Sequence, residues 1–210
     1  MKLNYSDDNT ILEAGIDEAG RGCLSGRVYV GAVILPNDIL DEKYKEIKDS
    51  KKLSKKKRKE LRQYIEDIAI AFNVSYAEPN EIDNKNILQA TLNTMHLAVE
   101  GLDIKPDILL VDGDRWNIYT TPDGDVIPHQ LIKGGDNKYY SIAAASILAK
   151  VYHDEYVENL CKETPDYLKY DWLNNMCYGT KKHIEAIKKY GITKHHRKTF
   201  GICKQYINKF

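Results

Sequence analysis

The sequence predicts a mixed α/β fold in which helices pack on a single sheet. Five segments have the apolar or alternating pattern of strands, and segments with apolar residues three or four positions apart separate several of them. Their order, β-β-α-β-α-β-β-α, is typical of a mixed sheet covered by helices. No repeat, low-complexity stretch or linker interrupts the 210 residues. We therefore expect one domain over residues 1–210, long enough to bury a stable core.

The first half of the chain supplies three of the predicted strands. Residues 12–19 form the first strand, and residues 28–35, which are almost entirely apolar, form a second strand in the centre of the sheet. Residues 69–77 alternate between apolar and polar side chains and form the third. Between them, Ser54 is a suitable helix N-cap. It precedes apolar residues at helical spacing, namely Leu61, Tyr64, Ile65 and Ile68.

The second half of the chain combines helices with short strands. Residues 108–111 form a short buried strand, and residues 126–132 form a fifth strand. A helix follows over residues 141–160, where several alanines permit close packing, and another spans residues 181–190 until Gly191 ends it as a C-cap. A long helix before these elements is indicated by an apolar stripe that consists of Leu88, Leu92, Met95, Val99 and Leu102.

The composition is that of a globular protein without a membrane span. Hydrophobic residues make up 42% of the chain and charged residues 30%, and no apolar run approaches the length needed to cross a bilayer. The first ten residues are polar and acidic, unlike a signal peptide. The four cysteines lie far apart and lack zinc-binding spacing, so we expect free thiols in a reducing compartment. The predicted location is the cytoplasm.

The charge pattern neither indicates nor excludes a nucleic-acid partner. The 31 basic residues balance the 31 acidic ones, so clustering matters more than the total. Basic residues concentrate at Lys51 and Lys52, over residues 55–59, and over residues 181–198. For residues 55–59, a solvated helix face is the simpler interpretation.

Carboxylates stand at the ends of predicted strands, where functional groups gather in sheets of this kind. Asp17 and Glu18 end the first strand, Asp112 ends the fourth, and Asp136 follows the fifth. Carboxylate oxygens suit Mg²⁺ and other hard cations, and two-metal nucleases need several of them from separate segments. Adjacent strand residues point to opposite faces, so Asp17 and Glu18 share one site only if the strand ends or bends there.

Two of these carboxylates also have a purely structural interpretation. Asp112 precedes Gly113, which is a common turn sequence. Asp136-Asn137 after two glycines is equally typical of a loop that leads into a helix. The spacing by itself therefore leaves a divalent-metal site and ordinary turns open as alternatives.

A glycine-flanked arginine directly follows the first carboxylate pair, at Gly20, Arg21 and Gly22. Glycines let backbone amides approach a phosphate or a ligand closely, because no side chain intervenes. Carboxylates for metal and a Gly-Arg-Gly segment for phosphate, side by side, indicate phosphoryl chemistry on a polyanion.

Collinear motifs run through the chain from Gly15 to about Cys203. They are, in order, residues 15–22 (GIDEAGRG), 49–54 (DSKKLS), 78–83 (EPNEID) with Asn86-Ile87, 110–113 (LVDG), 133–136 (KGGD), 141–151 (SIAAASILAKV), 178–180 (YGT) with His183, and 190–200 (YGITKHHRKTF). Together these motifs make the chain resemble the ribonuclease HII (type 2 ribonuclease H) family. The resemblance implies a ribonuclease H-like mixed five-stranded sheet flanked by helices, with a C-terminal helical extension. It places the catalytic core at about residues 11–160 and the helical C-terminal part at about residues 161–210.

The resemblance also implies the catalytic chemistry. The family's four metal-binding carboxylates correspond to Asp17, Glu18, Asp112 and Asp136, the residues at the predicted strand ends. The implied cofactor is a divalent metal, Mn²⁺ or Mg²⁺, in a two-metal mechanism.

Substrate recognition is implied in the same way. The family's Gly20-Arg21-Gly22 motif surrounds the RNA–DNA junction and senses the 2′-hydroxyl, the group that distinguishes RNA from DNA. Tyr178 corresponds to the tyrosine that stacks on the adjacent deoxyribose, although the chain has 15 tyrosines and a half-buried structural role is the alternative. We expect Lys51 and Lys52 to contact backbone phosphates.

Two further segments have two interpretations each. Asp154 shares a helix face with Ser146 and Lys150, and it is either a further family acid near the active site or an exposed ion-pair partner of Lys150. His196-Arg197 either packs in the interior or binds phosphate.

Departures from the family pattern leave the catalytic groups in place. Met176-Cys177 stands where a Lys-Gly pair usually precedes the tyrosine, and residues 133–136 contain one glycine more than the usual Lys-Gly-Asp. Arg27 replaces a common proline, and Asp114 adds a carboxylate two residues after Asp112.

The sequence therefore predicts a metal-dependent endonuclease that cleaves the RNA strand of RNA–DNA hybrids. It is also expected to cut at ribonucleotides embedded in duplex DNA, leaving 5′-phosphate and 3′-hydroxyl ends. One alternative is a ribonuclease HIII-like hybrid nuclease, a family that usually carries an extra N-terminal substrate-binding domain. The other is a non-catalytic RNA–DNA hybrid-binding protein, which the presence of all four carboxylates disfavours. We expect a monomer with no obligate protein partner and no membrane association.

Overall fold

A computed structural model describes residues 1–38 and 41–207, which contain one five-stranded sheet with helices on both faces. The strands lie in the spatial order β3-β2-β1-β4-β5. β1 pairs antiparallel with β2 and parallel with β4, while β2 pairs antiparallel with β3 and β4 parallel with β5. The predicted mixed sheet is confirmed. Its strands are β1 (Glu13–Ala19), β2 (Val28–Ile34), β3 (Ala71–Ala77), β4 (Ile108–Asp112) and β5 (His129–Ile132).

The predicted start of the fifth strand was wrong. β5 begins at His129, three residues after the predicted start, while Val126 forms only an isolated bridge with Thr120. Pro128 stands immediately before the strand and has no N–H group to contribute to a ladder. The other strand ends lie within two residues of their predicted positions.

Six α-helices accompany the sheet in the described residues: α1 (Lys55–Ile68), α2 (Pro79–Lys85), α3 (Ile87–Glu100), α4 (Tyr140–Glu163), α5 (Trp172–Asn175) and α6 (Lys181–Tyr190). The Ser54 hydroxyl accepts a hydrogen bond from the Lys57 amide at 3.2 Å, which confirms the predicted N-cap of α1. α6 has the predicted bounds and ends at Gly191. α2 and α5 were not predicted, although a Glu78–Glu81 capping box marks the start of α2.

The two faces of the sheet are covered differently. α4 approaches β1 and β2 so closely that a Cβ on Gly15 would lie 2.2 Å from the Ser141 carbonyl carbon, and one on Gly31 would lie 2.6 Å from the Ala145 oxygen. The close packing predicted for the alanines of α4 is thereby confirmed. On the opposite face, Ala14, Ile16 and Val30 share a buried cluster with residues of α3. Side chains of β1 therefore alternate between an α4 face and an α3 face.

The C-terminal part has a separate apolar cluster around Tyr170, Trp172 and Ile187. All four cysteines lie in this cluster as buried free thiols, as predicted. His196 and Arg197 are 1% and 0% exposed, so they pack in the interior and the phosphate-binding interpretation was wrong. No helix of the described residues is long and apolar enough to cross a membrane.

Candidate active site

The predicted carboxylates come together at one edge of the sheet. β1 and β4 are parallel neighbours whose pairing ends at Ile16 and Val111, so Asp17 and Glu18 lie beside Asp112, the last residue of β4. Asp136 lies in a 3₁₀ turn after β5. The amide of Gly135 in that turn donates a 2.7 Å hydrogen bond to the Asp112 carboxylate.

Two glycines shape the turn that carries Asp136. Gly134 has φ +62°, in the left-handed region that favours glycine. A Cβ on Gly135 would lie 2.5 Å from the Ile142 side chain. The backbone conformation thus favours glycine at position 134, and the lack of space for a side chain favours glycine at position 135. In this turn Asp136 is only 3% exposed.

Asp17 and Glu18 reach the edge from opposite faces of β1. The strand does not end at these residues, because its pairing with β2 continues to Ala19. Asp17 lies on the α4 face, where the Ser146 side chain acts to lower the pKa of its carboxylate. Glu18 lies on the α3 face, and Arg21 Nη1 is 3.4 Å from its Oε1. Next to β4 the pairing of β1 stops before these residues, whereas next to β2 it continues past them, so the condition that the strand ends or bends there is met on the β4 side.

Burial and mutual repulsion disfavour ionisation of these carboxyl groups. The pKa of Asp17 is raised well above its usual value, first by burial and then by the neighbouring charges of Glu18 and Asp112. Burial also raises the pKa of Glu18, against the opposing effect of Arg21. The pKa of Asp136 is raised by burial, Asp49 and Asp112. The edge therefore concentrates negative charge in a poorly solvated place.

The donor types at this edge fit a hard divalent cation, since all of them are carboxylate oxygens. The pKa values of Asp17 and Asp136 are raised first by burial and then by like charges, and a bound cation would relieve the second effect. In the side-chain positions observed, however, no three His, Cys, Asp or Glu residues within 1–38 and 41–207 lie close enough to hold one ion. The metal site predicted from the sequence thus has its donors at one edge without a preformed ligand cluster.

The Gly-Arg-Gly segment and Tyr178 line a common cleft of about 200 Å³ next to the carboxylate edge. Cys23 and Tyr178 form an antiparallel bridge that brings the two segments together. A Cβ on Gly22 would lie 3.6 Å from the Tyr178 ring, and Tyr178 remains 39% exposed. Glu18 also lines this cleft, so the carboxylates and the Gly-Arg-Gly segment are adjacent. A larger cleft of about 470 Å³ around Arg27 contains none of the predicted site residues.

The loop before Tyr178 is unusual in its backbone. Met176 and Cys177 have φ +45° and +66°, the left-handed conformation that is uncommon for residues other than glycine. The Asn175 side chain accepts a hydrogen bond from the Cys177 amide at 2.9 Å. The left-handed turn before Tyr178 is thus formed by two residues other than glycine.

The two predicted phosphate-binding lysines differ in their surroundings. Lys51 lines the cleft, and its Nζ lies 3.8 Å from Asp136. Burial alone would lower the pKa of Lys51, but Asp136 and Asp17 outweigh this effect and raise it. Lys52 instead hydrogen-bonds Asn137 and lies near Asp49, outside the cleft lining. The structure thus brings Lys51, and not Lys52, to the cleft.

Asp154 belongs to a buried network behind the cleft. Lys150 Nζ lies 2.7 Å from one of its oxygens and Arg58 Nη2 lies 3.5 Å from the other, while His153 Nδ1 is also within 3.1 Å. The ion pair with Lys150 is confirmed, but Asp154 is 4% exposed, so the expectation of an exposed pair was wrong. Lys150 in turn lines the cleft.

Sequence reasoning missed Ser50 as a cleft residue. Its hydroxyl lies 3.0 Å from the Ser146 hydroxyl, which connects the 49–54 motif to the residue that acts to lower the pKa of Asp17. Ser50 is part of the 49–54 motif, but nothing in the spacing of that motif indicates contact with α4. On α1, Lys55 and Lys59 form ion pairs with Glu158 and fit the interpretation of a solvated helix face, whereas Arg58 of the same run reaches the buried Asp154.

Comparison with known proteins identifies the family. The sequence model described as Ribonuclease HII matches residues 14–203. The chain belongs to the ribonuclease HII family. It is 50% identical over 207 residues to the Ribonuclease HII of Parabacteroides distasonis, covering 99% of this chain and 98% of that protein. The predicted ribonuclease H enzyme is thereby confirmed, and the non-catalytic alternative is set aside.

Solved structures agree with the ribonuclease HII fold. The crystal structure of the ribonuclease H2 from Pyrococcus horikoshii OT3 matches with a TM-score of 0.75 and 25% identity over 94% of this chain and 97% of that chain. The structure of Bst-RNase HIII in complex with Mn²⁺ matches with a TM-score of 0.70 at 17% identity, over 95% of this chain and 70% of that chain. The second likeness shows a shared fold. It places this chain beside the ribonuclease HIII fold without making it a member of that family.

Proposed function

We propose that this ribonuclease HII is a metal-dependent endonuclease that cleaves the RNA strand of RNA–DNA hybrids and cuts at single ribonucleotides in duplex DNA. The observation that carries the proposal is the contact between two features: a carboxylate edge, and a cleft lined by Gly20, Gly22 and Tyr178. The carboxylate edge suits phosphodiester hydrolysis, and the cleft suits recognition of the sugar. The expected products have 5′-phosphate and 3′-hydroxyl ends.

Asp17, Glu18, Asp112 and Asp136 would hold Mg²⁺ or Mn²⁺. A bound ion supplies an activated water and neutralises charge on the phosphate. The protein contributes the buried position of Asp17 and the turn that carries Asp136, in which the Gly135 amide binds Asp112.

Recognition of the sugar follows from the shape of the cleft. A 2′-hydroxyl both donates and accepts, so backbone amides and carbonyls with no intervening side chain suit it. The exposed ring of Tyr178 faces Gly22 across the cleft and offers an apolar surface to a deoxyribose. A ribose in that place would lose hydration of its 2′-hydroxyl without a partner. Together the two walls select an RNA-to-DNA junction.

Cleavage assays on matched duplexes test the proposal. The substrates contain no ribonucleotide, one ribonucleotide, four consecutive ribonucleotides, or a continuous RNA strand opposite DNA, each with Mg²⁺ or Mn²⁺. We expect cleavage of every substrate that contains ribose, and none of the all-DNA duplex. Failure to cut the single-ribonucleotide duplex would contradict the junction-reading proposal while leaving hybrid cleavage intact.

A matched pair of variants tests the carboxylates. Asp17→Asn should lower kcat by at least about a hundredfold, because a buried donor to the metal is lost. Asp114→Asn is the control, since Asp114 is an exposed carboxylate two residues from Asp112 that pairs with Lys133 at 3.3 Å. Equal activity of the two variants would refute the assigned metal ligands.

A further inference from the structure

Arg197 is a buried cation in the C-terminal part of the chain, far in sequence from the catalytic residues. It is 0% exposed, and it forms no ion pair with any carboxylate of the described residues. Burying a charge without a counter-charge is costly unless hydrogen bonds replace its hydration. The partners that replace water around this guanidinium therefore indicate why it is there.

All of its side-chain partners are backbone carbonyls of the loop between β1 and β2. Nε donates to Gly26 at 2.9 Å, Nη1 donates to Arg21 at 2.9 Å, and Nη2 donates to both Gly20 at 2.7 Å and Arg27 at 3.0 Å. Because Nη2 binds the first and the last of these carbonyls, one guanidinium closes the whole loop. Four of its five N–H donors are used.

Backbone pairing reinforces the same contact. The Arg197 amide donates to the Leu24 carbonyl at 2.9 Å, and the Gly26 amide donates to the His195 carbonyl at 2.8 Å. Ser25 and His196 form an antiparallel bridge between these bonds. The loop has one internal backbone hydrogen bond, from the Cys23 amide to the Gly20 carbonyl at 3.2 Å, and residues 195–197 supply the other contacts described here.

The direction of the carbonyls fixes the direction of the amides. In a planar trans peptide, the C=O and the following N–H point to opposite sides. The Gly20 and Arg21 carbonyls point at Arg197, so the amides of Arg21 and Gly22 point away from it. Neither amide donates to an acceptor within residues 1–38 and 41–207. They lie on the Gly20–Gly22 wall of the cleft that Tyr178 completes.

We propose that Arg197 is a positioning residue for junction recognition, which turns the amides of Arg21 and Gly22 toward the sugar of the substrate. The proposal rests on the proposed function, because it assigns these amides to the ribose. Lysine does not replace arginine here, since its three donors radiate from one atom and do not span carbonyls on several sides. The Phe200 ring, 5.1 Å from the guanidinium carbon, supports the plane of the fork.

The test compares Arg197→Lys with wild type on two substrates, a duplex with one embedded ribonucleotide and a continuous RNA–DNA hybrid. In the hybrid every position offers a 2′-hydroxyl, so misdirected amides still find one, whereas the single ribonucleotide requires correct placement. We expect kcat/KM to fall at least about tenfold more on the single-ribonucleotide duplex. On four consecutive ribonucleotides, we expect cleavage to spread over more positions than in wild type.

A control variant separates positioning from general destabilisation. Tyr170→Phe removes the hydrogen bond from the buried Tyr170 hydroxyl to the Gly191 carbonyl at 3.0 Å, in the same C-terminal part, and leaves the hydrogen bonds between Arg197 and the loop in place. It should leave the ratio of the two substrates and the cut positions unchanged. An unchanged ratio in Arg197→Lys, with both rates falling in parallel with the melting temperature, would overturn the proposal.

Two further outcomes are distinguishable. If Arg197→Lys does not fold, Phe200→Leu retains every guanidinium hydrogen bond but removes the supporting ring, and it should shift the substrate ratio in the same direction by a smaller factor. An unchanged ratio in Phe200→Leu would then overturn the proposal. If wild type itself does not cut at the single ribonucleotide, the proposed function fails, and this inference fails with it.

Discussion

Acid should destabilise this ribonuclease HII through a buried pair of histidines. His183 Nδ1 lies 3.0 Å from the Tyr178 carbonyl and must donate to it, while His183 Nε2 faces two donors, Trp172 Nε1 at 3.0 Å and His196 Nε2 at 3.2 Å. His196 Nδ1 accepts from the Thr193 amide at 2.9 Å. Every nitrogen of the two imidazole rings therefore has a hydrogen-bond partner when both histidines are neutral. An added proton on either ring would confront an existing N–H donor.

The magnitude follows from the pKa of His196. Burial, with His183 and His195 nearby, lowers this pKa from 6.5 to about 3. A depressed histidine pKa means that the unfolded chain binds the proton first, so stability is fully present above pH 6.5 and falls as the pH decreases toward 3. Each pH unit below 6.5 costs about 1 to 1.5 kcal/mol from this residue, or roughly 2 to 3 kcal/mol at pH 4.5.

Urea unfolding at pH 7.5, 5.5 and 4.5 measures this effect against a His196→Gln variant, whose side chain does not titrate. We expect the variant to be less stable at pH 7.5, because it loses part of the network, but to lose clearly less stability on acidification than wild type. Comparing the two slopes cancels the contributions of the carboxylates, which titrate in both proteins. Equal losses between pH 7.5 and 4.5 would refute the assignment of a buried neutral His196.

Three more predictions concern the sheet and the site. Gly31→Ala should lower the free energy of unfolding by about 1–3 kcal/mol, because the new Cβ meets the Ala145 carbonyl. Urea unfolding measures this change, and an unchanged midpoint would contradict the close approach of α4. Asp136→Asn should lower kcat at least about a hundredfold. Without metal, its melting temperature should nevertheless rise, because the substitution removes a buried carboxylate whose pKa is raised. A lower melting temperature would argue against an unfavourable carboxylate at this position. Lys51→Gln should raise KM several-fold at low salt and reduce the slope of log KM against log salt concentration by about one unit. Steady-state cleavage at several salt concentrations measures both effects, and an unchanged slope would show that Lys51 does not contact phosphate.

Part of the site could be predicted because the ends of strands can be recognised in the sequence. Asp112 was placed correctly, since a short apolar run followed by Asp-Gly marks both a strand and its end. The same reasoning placed Asp17 and Glu18 at the sheet edge, on the condition that the strand ends or bends there. It missed the possibility that one neighbour, β4, stops beside them while the other, β2, continues.

Other features depend on partners that are distant in the chain. The start of β5 was predicted too early because hydrophobic alternation extends past Pro128, whereas the ladder depends on available N–H groups. The basic sequence around Arg197 favours solvent or phosphate as strongly as burial. Only its carbonyl partners, about 170 residues away in the chain, distinguish these interpretations.

The sequence by itself determined the order of strands and helices, the four candidate carboxylates, the Gly-Arg-Gly segment and the family, because these depend on local pattern and on motifs in a fixed order. The tertiary structure alone decided that Asp17 and Glu18 approach one edge from opposite faces, that Lys51 and not Lys52 lines the cleft, and that Arg197 holds the loop of Gly20–Gly22. The physical reason is that burial, close approach and hydrogen-bond direction are set by side chains and peptides brought together from distant parts of the chain.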